Sequence, residues 1–377
     1  MALVSGGFWF TSLTFFIKTL ETMLSLSKIA VKNLTEEQYH DMNAYSYSII
    51  RKYATGGFKT LKTLFDKVTP TPEMKFGTLV DCMVTAGMGE AARQYDIMDV
   101  VPTDAKKSVL DYLLSKENVV NMNNCKLEDV QDMLITAADE LGYQKRWGVD
   151  AKLKSFLGDA ACTEYFSKMK SGKTIVSAED WTDAMAMTKA LHNHPYLKDI
   201  FGEGNKDGIE YLYQAKFIAD ILINDDQIIH VKIMPDLLVV NHNKKYIIPV
   251  DLKTSSMPAY DFADHWQKMR YDLQASMYTE VLNLNLLDSE EFADYKIGKY
   301  LFVDISREDK IPVSFIYDPR DADQLTGLCI PKGDSQLKYR GWKQLLSEIV
   351  YYLDNNAVVP NYIDPIEPND IINLLAR

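Results

Sequence analysis

Three consecutive segments rich in Ile, Val and Tyr constrain the fold of this chain more than any other feature of its sequence. They cover residues 209–223, 227–241 and 245–254, and they are separated by turn-forming residues at 224–226 and 241–243. Short runs of β-branched and aromatic residues bounded by Asn and Asp are typical of strands joined by tight turns. The sequence therefore predicts consecutive antiparallel strands.

Most of the remaining chain has the spacing of amphipathic helices. A helix start is predicted at 33–37, where Thr35 precedes two glutamates. Further helices are predicted at 46–65, 76–87, 105–116, 127–141, 178–193, 260–284 and 336–354, and further strands at 299–306 and 311–317. This order of elements predicts an α/β (α+β) fold, with a mixed central sheet flanked by helices and a helical N-terminal region.

We divide the chain into an apolar N-terminal extension, 1–24, a mainly helical region, 25–205, and a core, 206–377. The last two are expected to pack as one integrated domain. The apolar stretch at 8–17 is too short to span a bilayer and lacks the basic start of a signal peptide. A buried helix, an extension upstream of a start at Met23, and a membrane or secretion element all stay open for it.

Composition narrows the class of function. The net charge of −12 argues against a protein that coats nucleic acid through bulk charge, but not against a nucleic-acid enzyme with a local basic groove. The four cysteines are far apart and form no CxxC pair: Cys82, Cys125, Cys162 and Cys329. That spacing argues against a zinc ribbon or an iron–sulfur cluster and predicts reduced thiols in a cytoplasmic protein.

Two acidic residues lie at the ends of neighbouring predicted strands. If the turn is centred between Asn243 and Lys244, or is a four-residue loop over 242–245, paired residue numbers sum to 487 and Asp236 lies opposite Asp251. Opposed residues on antiparallel strands have Cβ atoms about 4.5–5.5 Å apart. Two carboxylates at that separation repel unless a cation lies between them, and Mg²⁺ accepts one or two carboxylates while retaining several waters.

Lys253 follows Asp251 by two residues, so it projects from the same face of the strand roughly 6.6 Å further along. An ammonium group there would orient or deprotonate an attacking water and offset charge in the transition state of phosphodiester hydrolysis. Pro249 is the weak point of this register. It cannot donate a ladder hydrogen bond, which implies an edge position or a bulge.

These residues carry a resemblance to a known family. Pro235-Asp236 and the run at 250–254 (Val-Asp-Leu-Lys-Thr) resemble the signature of the PD-(D/E)xK nucleases, in particular phage and prophage exonucleases of the exonuclease VIII (RecE-like) group. The similarity is strongest over 205–285. A looser similarity begins near residues 45–48 and passes through 76–81. The resemblance implies a restriction-endonuclease-like core and an Mg²⁺-dependent exodeoxyribonuclease, in which Mn²⁺ would substitute.

The resemblance also implies roles for particular residues. Asp236, Asp251 and Lys253 would be catalytic, with Glu210 as an additional acid that precedes the core strands. The metal ligands would be Asp236, Asp251, the backbone carbonyl of Leu252, and Asp81. The last of these stands where the family often has a histidine, which puts that ligand in doubt.

Four further residues are expected to position DNA. Gln274 and Tyr278 match the QxxxY element of the family, and Thr254 ends the signature. On the predicted helix 260–284, Arg270 lies one turn before Gln274 on the same stripe, beside the apolar face.

The resemblance implies that the chain acts on ends of double-stranded DNA, with single-stranded DNA as a second substrate, in phage recombination or DNA processing. A single-strand annealing protein and a homo-oligomer are the expected protein partners, with no membrane, in the host cytoplasm if the chain is phage-encoded. Two alternatives stay open. One is a restriction or repair endonuclease of the same fold, and the other is a catalytically silent DNA-binding protein.

Overall fold

The computed structural model describes residues 24–32, 34–115, 125–201, 206–223, 227–321, 329–332 and 335–354. The helices are α1 Glu36–Asp41, α2 Tyr47–Gly56, α3 Pro72–Thr85, α4 Met88–Gln94, α5 Asp104–Leu114, α6 Gln131–Glu140, α7 Val149–Leu157, α8 Ala160–Met169, α9 Ala178–Asn193, α10 Phe262–Met269, α11 Tyr271–Leu287 and α12 Trp342–Asp354. The strands are β1 Tyr95–Met98, β2 Thr174–Ser177, β3 Ile209–Tyr213, β4 Phe217–Ile223, β5 Gln227–Ile233, β6 Leu237–Asn241, β7 Tyr246–Ser255, β8 Lys296–Ile297, β9 Tyr300–Ser306, β10 Pro312–Tyr317, β11 Cys329–Lys332 and β12 Ser335–Lys338.

A mixed sheet lies at the centre of the molecule, in the order β10-β9-β7-β6-β3, with the short β8 beside β7. β7 runs antiparallel to β6 and parallel to β9, so it is an interior strand that joins the antiparallel and parallel parts of the sheet. The other strands form three two-stranded sheets: β1 with β2, β4 with β5, and β11 with β12. The predicted α/β class, with a mixed central sheet flanked by helices, is confirmed.

The two faces of the central sheet enter different hydrophobic clusters, because successive side chains of a strand point to opposite faces. Ile247 and Phe302 pack on one side with α11 and α12, whereas Val250 and Val303 pack on the other side with α3 and α9. A third cluster is formed within residues 98–175, mainly by α5, α6 and α8. Each face of β7 is therefore covered by helices.

Side-chain caps fix the starts of three helices around the sheet. Thr35 and Gln38 form a capping box at α1, which confirms the helix start predicted at 33–37. Thr71 accepts a hydrogen bond from the Met74 N–H at the start of α3, where Pro72 occupies the first turn. Ser177 caps α9 in the same way, so local sequence sets where these helices begin.

The long segments predicted as single strands each divide into two. The segment 209–223 breaks after β3 at Gln214, whose φ of 47° is in the left-handed region. The segment 227–241 breaks between β5 and β6, where Pro235 cannot extend a ladder. As a result, β3 and β6 belong to the central sheet, while β4 and β5 form a separate hairpin.

The helix predicted at 260–284 also divides, at Arg270, which adopts a left-handed conformation with φ 56° and ψ 43°. A non-glycine residue pays about 1–2 kcal/mol for that conformation. The Arg270 guanidinium donates two hydrogen bonds of 2.9 Å to Asp272 and one of 2.7 Å to the Arg340 carbonyl, and it stacks on the Tyr339 ring. These buried contacts hold the junction between α10 and α11 in place.

Among the described residues, no helix has both the length and the apolar character needed to cross a membrane. Apart from Leu24, the predicted N-terminal extension lies outside the described residues. Residues 355–377 of the predicted core and the turn at 224–226 lie outside them as well.

The Arg270–Asp272 pair yields a stability prediction. Asp272→Ala leaves a guanidinium that is 7% exposed without its carboxylate, and breaking a buried pair in this way costs roughly 3–5 kcal/mol. We expect a fall of about that size in the free energy of unfolding, measured by urea denaturation. The matched control is Asp294→Ala, which breaks the exposed pair with Lys245 and should cost under about 1 kcal/mol. Equal losses in the two variants would contradict the role assigned to the buried pair.

Candidate active site

The β6–β7 hairpin has the register expected from the sequence. Leu237 pairs with Val250 and Asn241 pairs with Tyr246, so the paired numbers sum to 487 and the turn is the four-residue loop 242–245. Continuing this register by one residue brings Asp236 opposite Asp251. The Asp236 carboxylate accepts a 2.8 Å hydrogen bond from the backbone N–H of Leu252.

Pro249 does not disturb this register, although it lies in an interior strand. On the side of β7 away from β6, Tyr246 and Ile247 pair with β8, and pairing with β9 begins only at Val250. Pro249 therefore lies in the gap between two partner strands, where its missing N–H leaves no ladder hydrogen bond unmade. The expected bulge is not needed.

Asp251, Lys253 and Gln274 form a connected polar group at the end of the hairpin. Asp251 is fully buried, and its Oδ2 lies 2.5 Å from the Lys253 Nζ. The Gln274 amide, on α11, donates a 2.5 Å hydrogen bond to Asp251 Oδ1 and accepts one of 3.3 Å from Lys253. Gln274, which the sequence predicted as a residue that positions DNA, therefore contacts both the lysine and the carboxylate.

Two tyrosines complete the surroundings of the lysine. Lys253 Nζ lies 4.5 Å from the centre of the Tyr271 ring, a cation–π distance. The Tyr47 hydroxyl donates to the Met269 carbonyl at 2.8 Å, and its ring lies 6.4 Å from Tyr271. Burial lowers the pKa of Lys253, but Asp251 first and then Tyr271 and Asp236 raise it by more, so the pKa lies above its ordinary value. Lys253 is therefore an ammonium group at neutral pH.

Burial and neighbouring charges raise the pKa of two of these acidic residues, Asp236 and Asp81. Burial, and then the charges of Asp251 and Asp81, raise the pKa of Asp236 well above its usual range, against the smaller effects of Lys253 and the Leu252 N–H. Burial raises the pKa of Asp81 to about 6; Gln214 opposes this shift, and Asp251 adds to it. Asp81 therefore belongs electrostatically to the same group as the two hairpin acids.

Asp81 lies near this acidic group because α3 packs closely against β7. A Cβ atom on Gly77 would lie 3.0 Å from the Thr254 hydroxyl, so a larger residue would force these elements to shift. Asp81 follows Gly77 by one helical turn. Thr254 thus packs against α3, on the face of β7 opposite to Lys253, instead of lying beside the lysine as a DNA contact.

Gln214 lies at the site but was not predicted from the sequence. Its N–H donates to the Asp236 carbonyl at 3.1 Å, and its side-chain amide donates to Asp81 Oδ2. Within the described residues the other oxygen, Asp81 Oδ1, is buried without a hydrogen-bond partner. The only sequence signal was the polar break, Gln214-Ala215-Lys216, inside an otherwise apolar segment.

Asp304 is a second residue near the site that was not predicted from the strand pattern. It is the register partner of Lys253 on β9, it is 1% exposed, and burial raises its pKa to about 6. Its contact is the Ser255 hydroxyl at 3.2 Å, which also donates to the Met257 carbonyl at 2.9 Å. A hydroxyl has one proton, so the Ser255 O–H is shared between two acceptors, the Asp304 carboxylate and the Met257 carbonyl.

Besides Thr254, three residues predicted for the site do not lie beside the ion pair: Glu210 and Arg270 lie elsewhere, and Tyr278 faces the core. Glu210 is opposite Val240 in the sheet, where it accepts hydrogen bonds from Ser25 (2.5 Å) and the Leu26 N–H (2.8 Å). It also contacts His242 at 3.1 Å, so it anchors the chain at 25–26 and does not join the acidic group. The Arg270 side chain is buried at the junction between α10 and α11, where it binds Asp272 and the Arg340 carbonyl.

Tyr278 faces the core instead of the surface. It is 8% exposed and packs edge-on against Tyr300, with ring centres 6.4 Å apart. Burial raises its pKa well above the usual range, with Tyr39, Asp251 and Asp236 adding smaller effects. Tyr278 thus borders the acidic group from the protein interior.

The donor set suits a small hard cation. Asp236 and Asp251 supply carboxylates, and the Leu252 carbonyl points to the Asp236 side of β7, since its N–H does. Within the described residues no three His, Cys, Asp or Glu side chains already stand at mutual metal-binding distance. Mg²⁺ does not require three, because it binds through one or two carboxylates and water, and the unpartnered Asp81 Oδ1 offers one more oxygen.

Comparisons with known proteins add little to this geometry. No protein-family model matches the chain, and no curated protein matches it. A solved structure of SSO0001 is 12% identical with a TM-score of 0.24, over 66% of this chain and 84% of that one. A protein from Eubacterium rectale described as a "putative exonuclease" is 11% identical with a TM-score of 0.28, over 70% of this chain and 86% of that one. Likeness at this level carries no argument about function.

Asp81→Asn tests the repulsion within the acidic group. The substitution keeps an acceptor for Gln214 and removes a charge that burial disfavours. In EDTA at about pH 7.5 we expect the variant to exceed wild type in free energy of unfolding by on the order of 1–3 kcal/mol.

The pH dependence of this difference in unfolding free energy tests whether the charge of Asp81 causes it. A carboxyl whose folded pKa is raised to about 6 destabilises the fold fully above that pH, and the penalty vanishes as the pH falls towards the unfolded value. Urea denaturation should therefore show the advantage of the variant shrinking between about pH 7 and about pH 4. An advantage that grows on acidification would contradict the assignment.

Proposed function

We propose that this chain is an Mg²⁺-dependent deoxyribonuclease that hydrolyses phosphodiester bonds at the ends of double-stranded DNA. The observation that carries the proposal is the grouping of Asp236, Asp251 and Lys253 at the end of one β-hairpin, with Asp251 fully buried and ion-paired to the lysine. Buried ionised groups at the end of an apolar strand are costly, so they favour a site with a chemical role.

The contacts support a separate role for each residue of the site. Asp236, Asp251 and the Leu252 carbonyl would hold the metal, with Asp81 as a further oxygen donor, and Mn²⁺ would substitute for Mg²⁺. When bound, the metal would polarise the phosphate and lower the pKa of a coordinated water. The two Asp251 oxygens retain lone pairs for it, because a carboxylate has about four acceptor positions and the hydrogen bond from Gln274 uses one, while Lys253 contacts the other oxygen as an ion pair.

Lys253 would act as a fixed cation. With its pKa above the ordinary value, it donates hydrogen bonds and does not remove a proton, so its role is to orient the attacking water and stabilise charge on the phosphate. Gln274 holds both the lysine and Asp251, and the Tyr271 ring holds the lysine from its other side. In the reaction, the water oxygen bonds to phosphorus and releases a proton to solvent, the bond to the leaving oxygen breaks, and that oxygen takes up a proton from solvent.

The finer parts of the proposal rest on the sequence resemblance to the PD-(D/E)xK exonucleases. These are the action at DNA ends, the recombination or DNA-processing role, the annealing-protein partner and the homo-oligomer. A restriction or repair endonuclease would use the same residues, so linear and closed circular duplex should be compared. Cleavage confined to linear DNA supports the exonuclease, whereas nicking of the circle at an equal rate supports the endonuclease.

Substitutions at the ion pair test the site directly. Asp251→Asn keeps an acceptor for Gln274, and Lys253→Gln keeps a donor, but each removes one charge. We expect each to reduce kcat on end-labelled linear duplex by about 10²-fold or more, because preorganised charges contribute most of such a rate enhancement. The matched control, Asp294→Asn, changes an exposed aspartate of the Lys245 pair and should cleave like wild type. Unchanged nucleotide release by the two site variants would overturn the assignment.

The identity of the cation gives a separate prediction. Ca²⁺ binds oxygen ligands at longer distances and in looser geometry than Mg²⁺. We expect Ca²⁺ to support DNA binding without rapid cleavage, and Mg²⁺ or Mn²⁺ to support both, as measured by fluorescence anisotropy and release of labelled nucleotides. Equal cleavage rates in Ca²⁺ and Mg²⁺ would count against the mechanism. Absence of cleavage with every one of these metals would count against the function.

A further inference from the structure

Two basic side chains and one imidazole lie on the two helices beside the Tyr271 ring, α2 and α10. His265 on α10 packs edge-on against Tyr271, with ring centres 5.9 Å apart. Lys268 follows His265 by three residues, so both side chains lie on one face of α10. Arg51 lies on α2, which crosses the same region. Tyr271 thus contacts both Lys253 and His265, so this second group lies next to the site of Lys253.

The position of Arg51 follows from the packing of α2. Tyr47 is tied to the end of α10 by its hydrogen bond to the Met269 carbonyl, and its ring lies beside Tyr271. Arg51 is four residues later, so it projects from the same face of α2. Because Tyr47 lies beside Tyr271, Arg51 lies on the part of α2 that faces the start of α11. In agreement with this position, the charge of Arg51 lowers the pKa of His265, after the larger effects of burial, Lys268 and Lys253.

The positive charges of Arg51 and Lys268 have no acidic partner. Within the part of the chain that the structure describes, no carboxylate lies within ion-pair distance of either of them or of His265. Burial lowers the pKa of His265, and then the charges of Lys268, Lys253 and Arg51 lower it further. A concentration of unpaired positive charge in a chain of net charge −12 favours an anionic ligand at this position.

We infer that Arg51, His265 and Lys268 form a phosphate-binding subsite for a nucleic-acid strand, adjacent to the site of Lys253. Arginine offers a planar fork that matches phosphate oxygens, lysine adds a point charge, and the imidazole N–H adds a donor at neutral pH. The subsite holds a phosphate neighbouring the one that faces Lys253. It rests on the proposed function for the identity of the strand, but it requires no cleavage in order to bind.

Binding in EDTA tests the subsite apart from catalysis. The probe is a short fluorescein-labelled oligonucleotide, single-stranded or paired, with a hydroxyl or a phosphate at its free end. We expect Arg51→Gln and Lys268→Gln each to weaken binding by about tenfold and to reduce the slope of log K against log salt by about one, as for loss of a phosphate contact. Arg51→Lys and Lys268→Arg should restore most of the affinity and the slope.

A matched control separates this effect from a change in bulk charge. Lys189→Gln removes one positive charge from an exposed position on α9, which packs on the opposite face of the central sheet. It should bind as wild type does, and far-ultraviolet circular dichroism should be the same for all variants. If Arg51→Gln and Lys268→Gln bind like Lys189→Gln, the subsite is wrong.

The end group of the oligonucleotide identifies the phosphate. Dependence on Arg51 and Lys268 with both end groups assigns the subsite to an internal phosphodiester, and dependence only with the end phosphate assigns it to a terminal monoester. If the proposed function is wrong but the subsite is right, the results differ from those of a wrong subsite. In that case the variants would still lose affinity in EDTA, but wild type would release no nucleotides with Mg²⁺ or Mn²⁺.

Discussion

The ion pair between the buried Asp251 and the partly buried Lys253 is the interaction on which the arrangement of the site depends. Burying charges costs several kcal/mol per ion unless geometry and further hydrogen bonds compensate. Here the compensation comes from two side chains: Gln274 contacts both charges, and Tyr271 lies against the ammonium. Removing either charge would therefore leave the other without its ionic partner at the end of the hairpin.

The interruptions of the regular elements lie where the site is built. The break after β3 brings Gln214 to Asp81 and Asp236, and the break before β6 releases Asp236 from the strand ladder. The break at Arg270 starts α11 with Tyr271, from which Gln274 follows by one turn. Backbone conformations that are uncommon for non-glycine residues often cluster where side chains must be aimed. In this chain such breaks orient residues on three sides of the ion pair.

The sequence predicted the parts of the site that depend on one hairpin. The strand register follows from a local turn, so the opposition of Asp236 and Asp251 and the direction of Lys253 could be predicted from the sequence. The strands β9 and β10 and the mixed sheet could be predicted as well. Features that depend on long-range packing could not be predicted. Glu210 lies four residues before Gln214 on β3, and nothing local distinguishes which of them reaches the acids. The short helices α4, α7 and α8 were likewise missed, since their apolar patterns are brief and are set by packing in the clusters around them.

The balance of charge explains why the proposed chemistry requires a divalent cation in addition to the lysine. Asp81, Asp236 and Asp251 bring three carboxyl groups to one ammonium, and the pKa values of Asp81 and Asp236 are raised first by burial and then by the charges of the other acids. A phosphodiester adds another negative charge. Without a cation, placing the scissile phosphate directly beside these acids would require them to take up protons, which removes the ligands that hydrolysis needs. A divalent ion relieves the repulsion while keeping the carboxylates ionised, and it leaves Lys253 free to contact the phosphate.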